Sequence, residues 1–218
     1  MTDILTIVVT SISCLVVIIS VIIAANNSKK NHLLAGKANK LMEEANCIQA
    51  GQKFLGWHDV ERYVSAIVQQ MNDDGFVPTC IYTTSTRHAV IASMIGQRLL
   101  MEKNTSTIPI FVGMSVPGLR KIAREGFDVE RIADWGHILI QKDLPINDSD
   151  KILIVRAHFG SGVGIRPVID YFKDKFKIKE DNIKTACIAY PKDIPHNPPN
   201  YFCLITTGDI WFPWGKNL

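Results

Sequence analysis

The sequence predicts an α/β domain, a mainly parallel twisted sheet with helices on both faces, preceded by one N-terminal transmembrane helix. Three observations carry this. From Trp57 onward, short β-branched runs alternate with helix-like runs, the signature of parallel strands joined by helical crossovers. Lys151–Val155 is a buried-strand pattern that enters a glycine-rich turn and then a helical stretch. Ile4–Ala25 carries no charge, interrupted only by Thr6, Thr10, Ser11, Ser13, Cys14 and Ser20. As a helix that run reaches about 33 Å, enough for the hydrocarbon core of a bilayer.

The elements follow in order. Ile4–Ala25 lacks the basic leader and the short apolar stretch of a cleavable signal, since only Met-Thr-Asp precedes it. Thr6, Thr10, Ser13 and Ser20 are of the types that mediate helix–helix contacts in lipid, and also occur there without that role. Lys29, Lys30, Lys37 and Lys40 follow the run, so the positive-inside rule places the C-terminal bulk in the cytoplasm. Leu34, Ala38, Leu41, Ala45 and Ile48 are spaced as an a/d seam over two heptads. Two readings fit it equally: a stalk pairing with a copy of itself, giving a homo-oligomer, or an amphipathic helix lying on its own domain. The expected organisation is therefore 1–25 transmembrane, 26–53 juxtamembrane stalk and 54–218 globular domain.

In that domain, Asp59–Met71 has helical periodicity and stops before Asn72-Asp-Asp-Gly75. Thr79–Thr83 reads as a strand, Thr84–His88 as a polar turn and Ala89–Met101 as a helix. Ile108–Val112 reads as a strand, Pro117–Glu125 as a short helix and His137–Gln141 as a strand. Lys151–Val155 is the next strand, Ile165–Phe176 the next helix, and Ile183–Tyr190 and Tyr201–Thr206 close the series. No repeat or low-complexity tract interrupts it.

Composition bounds the function. With 218 residues, 47% apolar and 21% charged, the chain holds one ordinary core and a modest appendage and is not of disordered type. A net charge of +3 without a basic block gives no nucleic-acid footprint. Five scattered cysteines, Cys14, Cys47, Cys80, Cys187 and Cys203, form no zinc motif and point to a reducing compartment. Neither a catalytic-triad order, HExxH, Walker A nor GxGxxG is present. Asp73-Asp74 reads as a helix end, and Asp148 and Asp150 lie before a strand, at its wrong end for a site.

In parallel sheets, ligands bind beyond the carboxyl ends of the strands. Two loops qualify, Thr84–His88 and Arg156–Gly164. The second, Arg156-Ala-His-Phe-Gly-Ser-Gly-Val-Gly164, is of a kind that turns backbone N–H groups toward phosphate at a helix start. A tight turn chosen for its backbone angles explains the same glycines.

These loops, in this order, resemble those of the type I phosphoribosyltransferases. In that family a strand runs into two acidic residues and a Thr-Gly turn that cradles the 5-phosphate of phosphoribosyl pyrophosphate. Here Ile152–Val155 match the strand, Arg156 and Ala157 fall on the acidic pair, Gly160 on a further acidic position, and Ser161-Gly162 on the Thr-Gly. Thr84-Ser85-Thr86-Arg87-His88 followed by Val90-Ile91-Ala92 resembles the family's pyrophosphate loop, with Arg87 and His88 in place of its glycines. Asp209-Ile-Trp-Phe-Pro-Trp214 resembles the ending of the xanthine/guanine branch, and Tyr190-Pro-Lys192 sits where that branch has its base-contacting lysine. The resemblance covers about Phe54 to Trp214.

It implies a phosphate site at Arg156, Ala157, His158, Phe159, Gly160, Ser161, Gly162, Val163 and Gly164. It implies a second phosphate loop at Ser85, Thr86, Arg87 and His88, and base contacts from Lys192, Trp211 and Trp214. Against the last stands a plain packing role for the aromatic residues. Arg156 cannot hold Mg²⁺, which takes oxygen ligands, but can neutralise a phosphate directly. No metal site of the chain's own is expected, and Mg²⁺ enters only if ligand-borne. The expectation is a membrane-anchored, phosphoribosyltransferase-like module binding a phosphorylated nucleotide or sugar as a sensor or effector, a pseudoenzyme. An active phosphoribosyltransferase, a glycosyltransferase acting on a purine-like base, is the alternative.

Overall fold

The computed structural model describes residues 53–103, 107–117, 125–132, 136–160, 162–192 and 198–216. The expected transmembrane run, the stalk up to Gln52 and Ser161 lie outside the described residues. Among the described residues no helix is long and apolar enough to cross a membrane.

A five-stranded, all-parallel sheet organises the domain. Its strands are β2 (Cys80–Thr83), β3 (Ile110–Val112), β7 (Ile152–His158), β8 (Ile183–Pro191) and β9 (Tyr201–Thr206), in the order β3-β2-β7-β8-β9. Side chains alternate across it. Ile81, Leu153, Val155, Ala157, Ala186 and Ile188 face helices α1 (Trp57–Asp73) and α2 (Thr86–Lys103) in one core. Cys80, Tyr82, Ile152, Ile154 and Cys187 face α3 (Arg166–Phe176) in the other.

Each helix forms for local reasons. α1 buries Val60, Val64, Ile67, Val68 and Met71, all on one 3.6-period stripe. The Asp59 carboxylate accepts from the Gly56 N–H at 3.0 Å, and Gly75 (φ 66°) lets the chain leave the helix. α2 sets Ile91, Ala92, Ile95 and Leu99 against the sheet with no accessible surface. α3 buries Val168, Tyr171 and Phe172, and Phe172 meets Tyr82 edge-on with ring centres 5.1 Å apart. Each fully buried aliphatic or aromatic side chain of this kind contributes about 1.5–3 kcal/mol.

The sequence reading departs from the structure between residues 114 and 141. Where a helix was expected from Pro117, β4 (Met114–Pro117) is a strand, and 118–124 fall outside the described residues. With β5 (Phe127–Ile132) and β6 (Gly136–Gln141) it forms a separate antiparallel sheet, ordered β4-β6-β5. His137–Gln141 therefore belongs to this second sheet. Ile138, Ile140 and Leu144 fasten it to the α3-side core. The Asp128 carboxylate on β5 accepts from the Tyr171 hydroxyl at 2.8 Å and from the Lys175 ammonium.

The two ends of the domain are knit together. β1 (Lys53–Phe54) pairs parallel with β10 (Ile210–Phe212), which turns back through β11 (Gly215–Lys216). Leu55, Ile210 and Phe212 close the core beneath them.

Candidate functional site at the carboxyl ends of two central strands

β2 connects outward to β3 on one side, while β7 lies on its other side. This is the point where strand order reverses, and in sheets of this kind ligands bind at such a point, beyond the carboxyl ends of the strands, here β2 and β7. Both loops singled out in the sequence leave from these ends.

At the end of β2, Thr83, Thr84 and His88 are buried. The Thr83 hydroxyl donates to the Ser85 carbonyl at 3.1 Å, and Thr84 Oγ1 lies 3.4 Å from His88 Nδ1. Ser85 accepts from the Ala89 N–H at 3.2 Å, so it stands at the N-cap of α2. This corrects the reading of Thr84–His88 as one turn. Thr86, Arg87 and His88 form the first turn of α2, with Arg87 exposed and His88 packed inward. From the neighbouring β4, Ser115 donates its N–H (3.1 Å) and its hydroxyl (3.3 Å) to the Thr84 carbonyl.

β7 runs further than expected. Arg156, Ala157 and His158 were read as the start of a loop, but they continue the strand, paired with Cys187 and Ala189 of β8. Alternation then decides where the first two point. Ala157 follows Leu153 and Val155 into the α1–α2 core, whereas Arg156 follows Ile152 and Ile154 to the α3 side. His158 ends the strand, paired with Ala189 of the α1–α2 core and followed by Phe159 of the α3 core, so alternation stops there. Arg156 lies within the strand, half-buried.

At this end of the two strands, three shielded polar atoms have no hydrogen-bond partner among the described residues: Tyr82 Oη, Arg156 Nε and His158 Nε2. Tyr82 lies beside Ile154 in register, and Arg156 follows two residues on. Tyr82 and Arg156 therefore share the α3 face of the two strands that flank the reversal point. Buried groups of this kind cost about 1–3 kcal/mol each when left unpaired. Burial pulls the Arg156 guanidinium below its usual pKa, with the Cys187 thiol opposing the shift. Burial, then Arg156, holds the His158 imidazole below its ordinary 6.5, with Asp209 opposing them. Burial likewise pushes the Tyr82 hydroxyl up. Tyr82 is fixed by Gly113, where a Cβ would stand 2.0 Å from its hydroxyl oxygen and 2.9 Å from the Leu139 carbonyl.

The glycine turn is formed, with Gly160 and Gly162 at φ 58° and 75°. Gly162 was expected to offer its N–H to phosphate, yet it donates to Phe159 O at 3.2 Å, and Ile165 donates to Gly162 O at 3.1 Å. Val163 and Gly164 lead into α3, whose N-cap residue Ile165 has no capping side chain. Phe159 and Gly162 line a cavity of about 420 Å³ beside α3 and β8, with Ile165, Ile169, Ile183 and Asn200. Arg156 and His158 do not line it.

Lys192 is exposed and, with Pro191, Thr206, Thr207 and Gly208, lines a cleft of about 200 Å³ at the carboxyl ends of β8 and β9. Trp214 stacks on Phe212 (5.0 Å, 11°) and packs at 55° against Trp57 with ring centres 5.6 Å apart. This is the packing alternative; its indole N–H is shielded and unpartnered. Trp211 lies on β10, half-buried.

A magnesium ion of the family's usual kind does not fit the donors present. At the acidic-pair position stands a guanidinium, which ligates no cation, and Ala157 turns into the opposite core. Among the described residues no group of three or more His, Cys, Asp or Glu is placed to hold a metal. Sequence reasoning did not single out Tyr82. Tyr82 carried a signal, as a hydroxyl in the middle of an otherwise apolar buried strand.

No protein-family model matches the chain, and no curated protein is similar to it in sequence. Its fold is similar to that of a purine phosphoribosyltransferase from Pyrococcus horikoshii (TM-score 0.53, 19% identity, 77% of this chain and 96% of that one). It is similar to a Helicobacter pylori xanthine-guanine-hypoxanthine phosphoribosyltransferase (TM-score 0.55, 14% identity, 75% and 94%). A Neisseria gonorrhoeae protein with bound ppGpp is also similar (TM-score 0.55, 15% identity, 75% and 88%). The domain has the type I phosphoribosyltransferase fold.

Proposed function

We propose that this domain binds a phosphorylated nucleotide or sugar at the end of β2 and β7, through its own cations and without a metal held by the chain. The observation that carries the reading is that Tyr82, Arg156 and His158 each hold a shielded polar atom without a partner among the described residues, at the carboxyl ends of the two strands where the order reverses. A phosphate offers acceptors to such donors, and a guanidinium gives it a charge-assisted bond. Ser85, Thr86, Arg87 and His88 lie where β2 passes into the N-terminus of α2, where backbone dipoles favour a second anionic group. The bound ppGpp of the Neisseria gonorrhoeae protein supports a ligand with more than one phosphate. Lys192 and its cleft are the place for a base. Ser161, Val163 and Gly164 remain candidates for the glycine-turn contact.

Membrane attachment through Ile4–Ala25 belongs to the same reading and rests on the sequence alone. A tether suits a ligand-responsive sensor or effector better than salvage of a soluble base.

The test is calorimetry of the full chain in detergent with ppGpp, GMP and phosphoribosyl pyrophosphate, each with and without Mg²⁺. Binding of one of them that persists in EDTA and is lost in Arg156→Met supports the proposal. Binding only with Mg²⁺, together with release of pyrophosphate from phosphoribosyl pyrophosphate and a purine, overturns it in favour of an active transferase.

A further inference from the structure

The cavity of about 420 Å³ beside α3 and β8 lies apart from Arg156 and His158, which take no part in its wall. Its apolar wall is Phe159, Ile165 and Ile183, buried in the α3-side core, with Ile169 half-buried beside them. Cavities of about 300–1,000 Å³ with an apolar lining and a few convergent polar groups are of small-molecule size. Most polar groups of this wall are already paired. The Arg166 guanidinium pairs with Asp170 at 3.1 Å, and the Glu180 carboxylate with the Lys173 ammonium at 2.5 Å. The Thr185 N–H and hydroxyl both donate to Asn200 Oδ1, at 2.8 and 3.0 Å, and the Asn200 N–H donates to Thr185 Oγ1 at 3.1 Å. A backbone N–H can only donate, so the Asn200 amide turns its oxygen to Thr185 and keeps Nδ2 as a donor. Two charged groups remain. Among the described residues, Asp181 in the turn Glu180–Asn182 and Lys184 on β8 make no ion pair and no side-chain hydrogen bond.

We propose that this cavity binds a zwitterionic small molecule with an apolar side chain, a free α-amino acid of the leucine or phenylalanine type. Lys184 and the Asn200 amide take its carboxylate, Asp181 takes its ammonium, and Phe159, Ile165, Ile169 and Ile183 take its side chain. Each charged end meets an opposite charge that the described residues leave open, which makes its hydrogen bond charge-assisted. A nucleotide suits the wall less well. Its phosphates would meet the Asp181 and Glu180 carboxylates, with Lys184 the one unpaired cation among the described lining residues. A plain hydrocarbon would leave both charges unanswered. Gly162 is part of the same wall, and its N–H donates to Phe159 O at 3.2 Å, so the glycine turn itself shapes the cavity. This site goes beyond the anion-binding reading and stands on different residues.

The experiment is calorimetry of the full chain in detergent with leucine and phenylalanine as probes. Leucinamide, which lacks the carboxylate, and N-acetylleucine, which lacks the ammonium, are the controls. Leucine or phenylalanine is expected to bind about tenfold more tightly than either control, the effect of one charge-assisted bond. Lys184→Met should weaken leucine binding about tenfold and leave leucinamide unchanged. Asp181→Asn should weaken leucine to a similar extent and leave N-acetylleucine unchanged. Asp181 is exposed and Lys184 half-buried, and a thermal melt of each variant checks that it folds. No binding of either amino acid overturns the proposal. So does binding in which both controls match leucine, which would assign the cavity to neutral apolar molecules, and so does leucine binding that neither variant alters. A separate titration with inorganic pyrophosphate reads the Arg156 end of β7, so its failure counts against the anion site and leaves this one standing.

Discussion

The two ends of the β2–β7 pair differ in how they treat polar atoms. At the amino end, the Thr79 hydroxyl donates to Asp150 at 2.7 Å and accepts from the Lys151 N–H at 3.0 Å, while Thr79 N–H donates to Lys151 O at 2.8 Å. Asp150 also accepts from the Asn147 N–H at 2.8 Å. At the carboxyl end, Tyr82, Arg156 and His158 each hold a shielded polar atom with no partner among the described residues. The same two strands thus supply a finished junction and an unfinished one. Hydrogen-bonding capacity left unspent in a shielded place costs stability, and the ligand proposed above would recover it.

Four measurements break or sharpen this contrast, the largest effect first. Arg156→Met should weaken anion binding about a hundredfold, the worth of a charge-assisted bond, while the melting temperature holds or rises because a half-buried guanidinium with a shielded, unpartnered Nε is gone. A fall in stability without loss of binding would reverse the assignment of Arg156. Gly113→Ala should destabilise by about 1–3 kcal/mol, since the added methyl meets Tyr82 Oη and a backbone carbonyl. Tyr82→Phe should recover part of that loss in a calorimetric melt, and no recovery would mean that the Leu139 carbonyl alone sets the limit. Thr79→Ala should cost about 1–2 kcal/mol by removing the junction's hydroxyl bonds, with binding unaltered; a change in affinity would show that the two ends are not independent.

The smallest effect is a pH dependence. Burial and Arg156 keep the His158 imidazole neutral in the empty pocket, below its ordinary 6.5, with Asp209 pulling the other way. A bound anion favours the imidazolium and raises that value, so binding takes up a proton between the two values. Affinity for sulfate, which does not titrate in this range, should therefore rise about threefold to tenfold as pH falls from 7, and His158→Gln should flatten the profile. An affinity that falls with pH would remove His158 from the site.

Much of the fold was legible because periodicity is a local signal. Strands and helices from Trp57 to Asp73, Cys80 to Thr83, Arg166 to Phe176 and Ile183 to Thr206 fall close to where hydrophobic spacing puts them. The antiparallel sheet was not read, although Phe127-Asp-Val-Glu-Arg-Ile132 alternates apolar and polar residues in its first four positions. Its edge strand β4 contains Ser115 and ends in proline, which breaks the β-branched pattern. At the site, the sequence located both loops but ended β7 three residues early. Parity along Ile152, Ile154 and Arg156 would have shown that Arg156 faces α3. What no local pattern carried was the arrival of Tyr82 beside it, because Tyr82 comes from a strand distant in sequence.

That distance has a kinetic consequence. Thr79 and Lys151, at the foot of the β2–β7 pair, are 72 positions apart, and the antiparallel sheet forms within the intervening stretch. Closing so long a loop carries an entropy cost that is repaid only when the strands zip together. The junction of β2 and β7 does not exist in any partly folded chain lacking this pairing, so the proposed ligand would recognise the finished molecule alone. Ligand at a hundredfold above its dissociation constant would add about 2.7 kcal/mol to the native state, holding the two distant strands together after they have met.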